Sequence, residues 1–530
     1  MGVLIYGGTI YTMEDVDTTV DAVFIENGMI SMVGEASLLR ERFTDQIKEE
    51  WNLNGNAMYP GFVDSHLHII GHGEKLLRLD LSKMTSAEEV LDALWTKATG
   101  LSKDEWLIAD GWNENQWEEP RIIQKEELDA ISRENPIILT RICRHAAIVN
   151  SKALKISKIN KETVDPEGGV IVKDNKGNVT GYLLDKAQDL VKDFTPLFTQ
   201  KQLEYVIELA IKDLLRVGLV GGHTEDLSYY GGFKQTLKAY QEILPKKYKF
   251  RAHLLVHHLV FDEMIHHGFR YGDGGEYTSL GAMKIFADGA LGGRTARLSE
   301  AYEDDPGNFG ISIHDHQELE TFFKKARKFS FPVAVHAIGD QAIEEVAACM
   351  KRIPLSAPRK DRIIHAQVAN TNTINKLKET DAVLDIQPSF VASDFPWVQE
   401  RLGKDRSTRS YSWKTYIEND IACAAGSDAP IEEVNPLLGI QAAVTRKSQI
   451  DGKTYNEEEK LSVYEAISLY TKGSARAINH ADDRGMIKPG YTADFTVLER
   501  DLYQENPENF HQIKVSATIV NGEVMYRKAH

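Results

Sequence analysis

Eight short apolar runs, several separated by stretches with helical periodicity, constrain this chain more than any other feature. They fall at 59–64, 218–222, 252–259, 282–286, 332–335, 362–364, 382–386 and 421–425. Near-continuous apolar strands alternating with helices form a parallel sheet covered on both faces, because a parallel partner is reached only through a crossover. Helical patterns at 201–216, 317–329 and 341–352 supply such crossovers. Eight strand–helix units close into a (β/α)8 TIM-like barrel.

The two ends of the chain read differently. Runs at 3–6, 22–25 and 30–33 are punctuated by Gly7-Gly8 and Asn27-Gly28, and runs at 494–498, 515–520 and 524–526 by Asn521-Gly522, as in antiparallel sheets. Neither end buries a core alone. The two are expected to pair into one small sheet domain, 1–58 with 489–530, which leaves 59–488 to the barrel. The gap between the first two barrel runs is too long for one helix, so about 75–200 reads as an insertion. It carries strand-like runs at 106–109 and 137–140 and a turn-rich patch, Asp165-Pro166-Glu167-Gly168-Gly169.

Composition narrows the partners. A formal charge of -17 argues against nucleic acid and anionic membranes, both of which demand a basic face. A small-molecule substrate is the remaining expectation, with a symmetric homodimer as the default assembly. No run reaches the roughly 18 apolar residues of a spanning helix. The N-terminus lacks the basic start and cleavage site of a signal peptide, and cytoplasmic residence follows by default. The three cysteines, Cys143, Cys349 and Cys423, show no metal or disulfide spacing. Cys349 and Cys423 read as small buried hydrophobes; Cys143, near His145, is conceivable as a reactive thiol.

Catalytic groups of such barrels sit at the C-terminal ends of the strands. The first run ends in Pro60-Gly61-Phe62-Val63-Asp64-Ser65-His66-Leu67-His68, and two imidazoles one residue apart at a strand end can share one divalent ion. Lys284 lies within the fourth run and Asp288 follows it, while His336 follows the fifth, His365 the sixth and Asp428 the eighth. Each has a plainer reading: Lys284 paired with Asp288, His336 and His365 as satisfied core histidines, Asp428 as a loop cap. Together they would need six polar groups at the ends of five strands by accident. The sharper reading of Lys284 is a carbamate, formed with CO2, that bridges two metals.

These motifs carry a resemblance over nearly the whole chain. Pro-Gly-Phe-Val-Asp-Ser-His-Leu-His at 60–68, Gly-Trp-Asn-Glu-Asn-Gln-Trp at 111–117, Asp-Pro-Glu-Gly-Gly at 165–169, Lys-Ile-Phe-Ala-Asp-Gly at 284–289, Val-His-Ala-Ile-Gly-Asp at 335–340 and Gly-Ser-Asp-Ala-Pro at 426–430 resemble the amidohydrolase superfamily. The branch it looks most like includes N-substituted formamide deformylase. The resemblance implies a barrel, a β-sandwich built from both termini, an α+β insertion after barrel strand 1, and one or two divalent ions, most often zinc. It further implies that His66, His68 and Asp428 bind a first metal, that His336 and His365 bind a second, and that Lys284 bridges as N6-carboxylysine. One position departs: Ile364 stands where a Glu is expected before the strand-six histidine.

The expected reaction is metal-assisted hydrolysis of a non-peptide carbon–nitrogen bond, with Asp428 as general base and then acid. His145 is a candidate donor to the substrate carbonyl. Trp112 and Trp117 are candidates for a pocket wall, with core packing as the alternative. Asp288, Arg294 and His223 are further candidate substrate contacts, and of His257 and His258 strand alternation admits at most one inward. Ester, lactone or phosphotriester hydrolysis uses the same metal site. A nucleobase deaminase fits less well, since His336 lacks a Glu at the needed spacing, and a scaffold without chemistry would have lost ligands.

Overall fold

The apolar runs hydrogen-bond to one another in parallel and in chain order. The computed structural model describes residues 2–142, 145–166, 168–196 and 198–529, so Cys143 lies outside the described residues. The eight barrel strands are Phe62–Leu67, Leu219–Thr224, Arg251–His257, Thr278–Phe286, Val333–Ala337, Arg362–His365, Val383–Ile386 and Ala422–Ala425. Each pairs with the next without a skip. The ring closes at the rim, where Asp428 N donates to His66 O and His68 N to Ala429 O, each over 2.8 Å. The crossovers include helices Gln200–Arg216, His316–Lys328 and Asp340–Arg352. Asp315 starts the second of these by accepting the Gln317 and Glu318 amides, the usual service of an N-cap aspartate.

Strand ends shift for local reasons. The second strand continues through His223 to Thr224, both buried despite their polarity. The third stops at His257, whose Nδ1 accepts the Leu259 amide over 3.1 Å and caps helix His258–His266. The chain therefore turns helical between the two histidines, and their rings stack at 4.4 Å instead of alternating across a strand.

Inside the ring, Leu255, Ala282, Ala334 and Ile364 pack as one apolar layer. The first three stand two residues before His257, Lys284 and His336, so period-two alternation puts them one layer beneath the rim. Ile364 is sealed against them, which accounts for an apolar side chain in place of the expected carboxylate. Deeper still, the Arg362 guanidinium pairs with Asp385 at 2.7 Å.

Strands from both termini join in one eight-stranded sheet, ordered Glu523–Arg527, Val515–Val520, Phe495–Leu498, Ala57–Pro60, Gly2–Tyr11, Thr19–Glu26, Met29–Gly34, with Ile47–Asn52 also on Gly2–Tyr11. Alternation sends Val3, Ile5, Val23 and Ile25 to an apolar cluster with Phe495 and Ile519, and Leu4 and Phe24 to a second cluster on the other face.

Residues Gly73–Thr199 form a second compact unit. Its six strands run in the order Gly169–Lys173, Val179–Asp185, Ala146–Val149, Ile137–Arg141, Leu107–Trp112, Leu79–Asp80. Trp112, Trp117, Val90, Leu94 and Leu139 fill its core. Among the described residues no helix is long and apolar enough to cross a membrane.

Candidate metal centre

The first barrel strand ends at the rim, and there His66 and His68 come within reach of one carboxylate. Asp428 Oδ1 lies 3.5 Å from His66 Nε2 and 3.4 Å from His68 Nε2. One ligand atom from each of the three fits within 4.8 Å of the others. Lys284 Nζ is 3.5 Å from His66 Nε2. The His365 ring centroid is 5.7 Å from that of His66 and 4.5 Å from that of His336. Six side chains from five strands thus meet at one rim.

The histidines are held in the tautomers a metal needs. His68 Nδ1 bonds the Glu225 carbonyl at 3.0 Å, His336 Nε2 the Gly289 carbonyl at 3.1 Å, and His365 Nδ1 the Gln387 Oε1 at 2.8 Å. An oxygen acceptor fixes the proton on that nitrogen and leaves a lone pair on the other. The free pairs are His336 Nδ1 and His365 Nε2, and His68 Nε2 gains one once it gives up its proton. Burial pushes the His66 and His336 imidazoles well below their usual range and His365 to about 4, so all three stay neutral. Burial also opposes charge on His68, but the Asp428 carboxylate outweighs it and lifts His68 to about 9. Imidazole nitrogens and a carboxylate fit zinc and similar divalent ions, so this donor set suits a metal.

Lys284 is buried, and burial lowers its pKa, favouring the neutral amine. The neutral amine is the form that adds CO2, so the surroundings suit a carbamate.

The supports around these groups are as specific. Asp64 Oδ1 accepts the His66 amide at 3.0 Å, while its Oδ2 accepts the Ser427 amide at 3.0 Å and hydroxyl at 2.6 Å. It thereby locks the first strand to the loop that carries Asp428. His365 and Asp428 hold φ of +79° and +57°, a region that non-glycine residues rarely occupy and that clusters at functional sites.

Among the other candidates from the sequence, Asp288 Oδ1 lies 3.6 Å from His336 Nε2. His223 is buried beside His253, ring centroids 5.3 Å apart. Asp288 spends its oxygens on the amides of Arg297, Ile338 and Gly339. Arg294 pairs with Asp304 at 2.8 Å, not with Asp288. His145, Trp112 and Trp117 belong to the second unit, where His145 bonds Asp185 at 2.9 Å and is exposed, and both indoles are buried. Cys349 and Cys423 are buried free thiols. The sequence reading passed over Asp64, Glu225 and Gln387. A search for acids immediately after each strand would have found Glu225, had the second strand been extended to Thr224.

The sequence and the fold have counterparts among known proteins. The Amidohydrolase family matches residues 49–526. The chain belongs to the amidohydrolase family. Putative amidohydrolase YtcJ of Bacillus subtilis is 49% identical over 99% of both chains. N-substituted formamide deformylase of Arthrobacter pascens is a distant relative, 22% identical over 99% of this chain and 98% of its own length. The crystal structure of an uncharacterized metal-dependent hydrolase from Pyrococcus horikoshii superposes with a TM-score of 0.82 at 27% identity, covering 96% of this amidohydrolase and 99% of that chain.

Proposed function

We propose that this metal-dependent hydrolase cleaves a non-peptide carbon–nitrogen bond of a small amide-like substrate. His66, His68 and Asp428 would hold one divalent ion, zinc by preference, and His336 and His365 a second, with Lys284 bridging as N6-carboxylysine. The observation that carries the reading is the convergence of His66, His68 and Asp428, one ligand atom of each within 4.8 Å of the others, with Lys284 and His365 against His66 and His336 against His365.

A divalent ion there supplies Lewis acidity, lowering the pKa of water toward about 7 and polarising a carbonyl. Asp428 does the proton work. The hydrogen bond and charge of His68 lead the influences that outweigh its burial and hold it below the usual carboxylate range, so it is ionised at neutral pH and able to accept a proton. Passing that proton to the leaving nitrogen returns Asp428 to its starting state, and water is divided between acid and amine products. The distant formamide deformylase relative favours a carbon–nitrogen bond over an ester.

Asp428→Asn is expected to keep metal and lose about 10²–10⁴-fold in kcat, the range for a general acid–base group. Metal content by mass spectrometry and turnover of a panel of N-formyl amines, N-acyl amines, esters, lactones and phosphotriesters check this. Turnover confined to the last three classes would overturn the assignment of the bond, and an Asp428→Asn variant with normal turnover the role of Asp428.

A further inference from the structure

Glu225 directly follows the second barrel strand, and no donor meets its carboxylate in hydrogen-bonding geometry. The residue is fully buried, yet neither Oε1 nor Oε2 receives a hydrogen bond among the described residues. Every other buried Asp or Glu among the described residues holds at least one such bond. Its neighbour Asp226 takes the Thr224 and Tyr240 hydroxyls, and Asp288 takes three backbone amides. The half-exposed Tyr229 phenol is close enough to Glu225 for each to shift the other's proton affinity, but forms no bond of acceptable geometry with it. A buried carboxylate in this condition is strongly disfavoured unless a cation or donors answer it.

Its position says what kind of partner that is. The Glu225 carbonyl already fixes His68, and its carboxylate lies within electrostatic reach of the Lys284 and His68 side chains. Glu225 lies as deep as His66 and Lys284, whereas the His68 and Asp428 side chains keep 25% and 13% of their surface exposed. The site therefore opens on the His68–Asp428 side. A group that reaches Glu225 from there must be small and positively charged, which fits an ion and not the body of a substrate.

We propose that Glu225 is an additional anionic ligand of the metal centre, on its second-strand side. It stands outside the tight triangle of His66, His68 and Asp428, so it adds to that set and replaces none of it. The inference rests on the metal-dependent reading above.

Metal-free protein titrated with zinc against a chromogenic chelator tests it. Glu225→Gln is expected to weaken zinc binding about 10–100-fold, the usual cost of losing a group that supports a metal site. Glu225→Asp, which keeps the charge, should recover part of the loss, and Tyr229→Phe should stay within about twofold of the parent. Zinc binding by Glu225→Gln as tight as the parent's overturns the proposal. So does a loss in Tyr229→Phe equal to that in Glu225→Gln, because the carboxylate would then serve the phenol. Circular dichroism of the metal-free variants monitors folding. Should Glu225→Gln fail to fold, Glu225→Asp carries the comparison, and unaltered affinity there overturns the proposal. A parent chain that binds no zinc overturns the metal-dependent reading itself, an outcome distinct from a parent that binds zinc and a Glu225→Gln variant that binds it equally well.

Discussion

At the scale of single residues, the centre depends on how closely two loops approach. Gly426 shows this best: a Cβ added there would lie 2.5 Å from His66 N and 2.6 Å from Asp64 Oδ1. Those contacts are backbone and a buried carboxylate already bonded on both sides, so neither can step back cheaply. Gly426→Ala is expected to part the first strand from the Asp428 loop and weaken zinc binding by roughly tenfold or more, as losses of supporting groups around metals do. Zinc titration of the metal-free variant checks it, and an affinity equal to the parent's would refute the wedge argument. Five of the six rim groups were legible because each is a polar residue at or just beyond the end of an apolar run, where the barrel rule puts such residues, and Lys284 because a lysine inside an apolar run is unusual. Asp64 was not, because it sits inside its run, and alternation alone does not reveal that its oxygens reach the loop around Ser427. Gln387 was not, because its service is to His365 and depends on a contact between neighbouring strands.

At the scale of elements, barrel strands were legible wherever they are apolar and harder to place where they are not. Thr278–Phe286 begins four residues before the apolar run at 282–286, because Ser279 and Gly281 interrupt the apolar signal ahead of it. The same ambiguity attaches to aromatic residues, where pocket wall and core look identical in a sequence. Trp112 is 0% exposed, and its ring centroid lies 6.2 Å from that of Trp117 within the core of the second unit. The position argues for packing. Trp112→Ala is expected to destabilise that unit by about 3–5 kcal/mol, the cost of emptying a buried aromatic site. Trp112→Phe should keep kcat/KM within a few-fold of the parent. Thermal unfolding followed by tryptophan fluorescence, with kinetics on the Phe variant, separates the two roles: a stable Phe variant that loses KM would make Trp112 a substrate contact after all.

At the scale of the whole barrel-bearing unit, one buried ion pair joins the foot of the barrel to the terminal sheet. Arg251, the first residue of the third barrel strand, donates from Nε and Nη2 to Asp494 at 2.5 and 3.1 Å. Asp494 Oδ1 also accepts the Asn521 amide at 2.7 Å, and its carbonyl accepts the Gly61 amide at 2.8 Å. Residues from three distant parts of the chain therefore converge on one aspartate, which no local pattern in the sequence could announce. Burial opposes the charge on Asp494, but Arg251 outweighs it and holds the carboxyl below its usual range. A folded-state pKa below the unfolded value of about 3.9 means that the folded form binds the proton less readily. The stabilisation is then complete above the unfolded value and disappears as the pH falls through the folded one. Asp494→Asn leaves Arg251 buried without its counter-charge, at a cost of about 3–5 kcal/mol near pH 7. The gap between parent and variant should narrow as the pH drops below about 4, where the parent also loses the charge. Urea unfolding at neutral and acid pH measures both arms, and a gap that stays constant across that range would show that the pair contributes no charge-dependent stability.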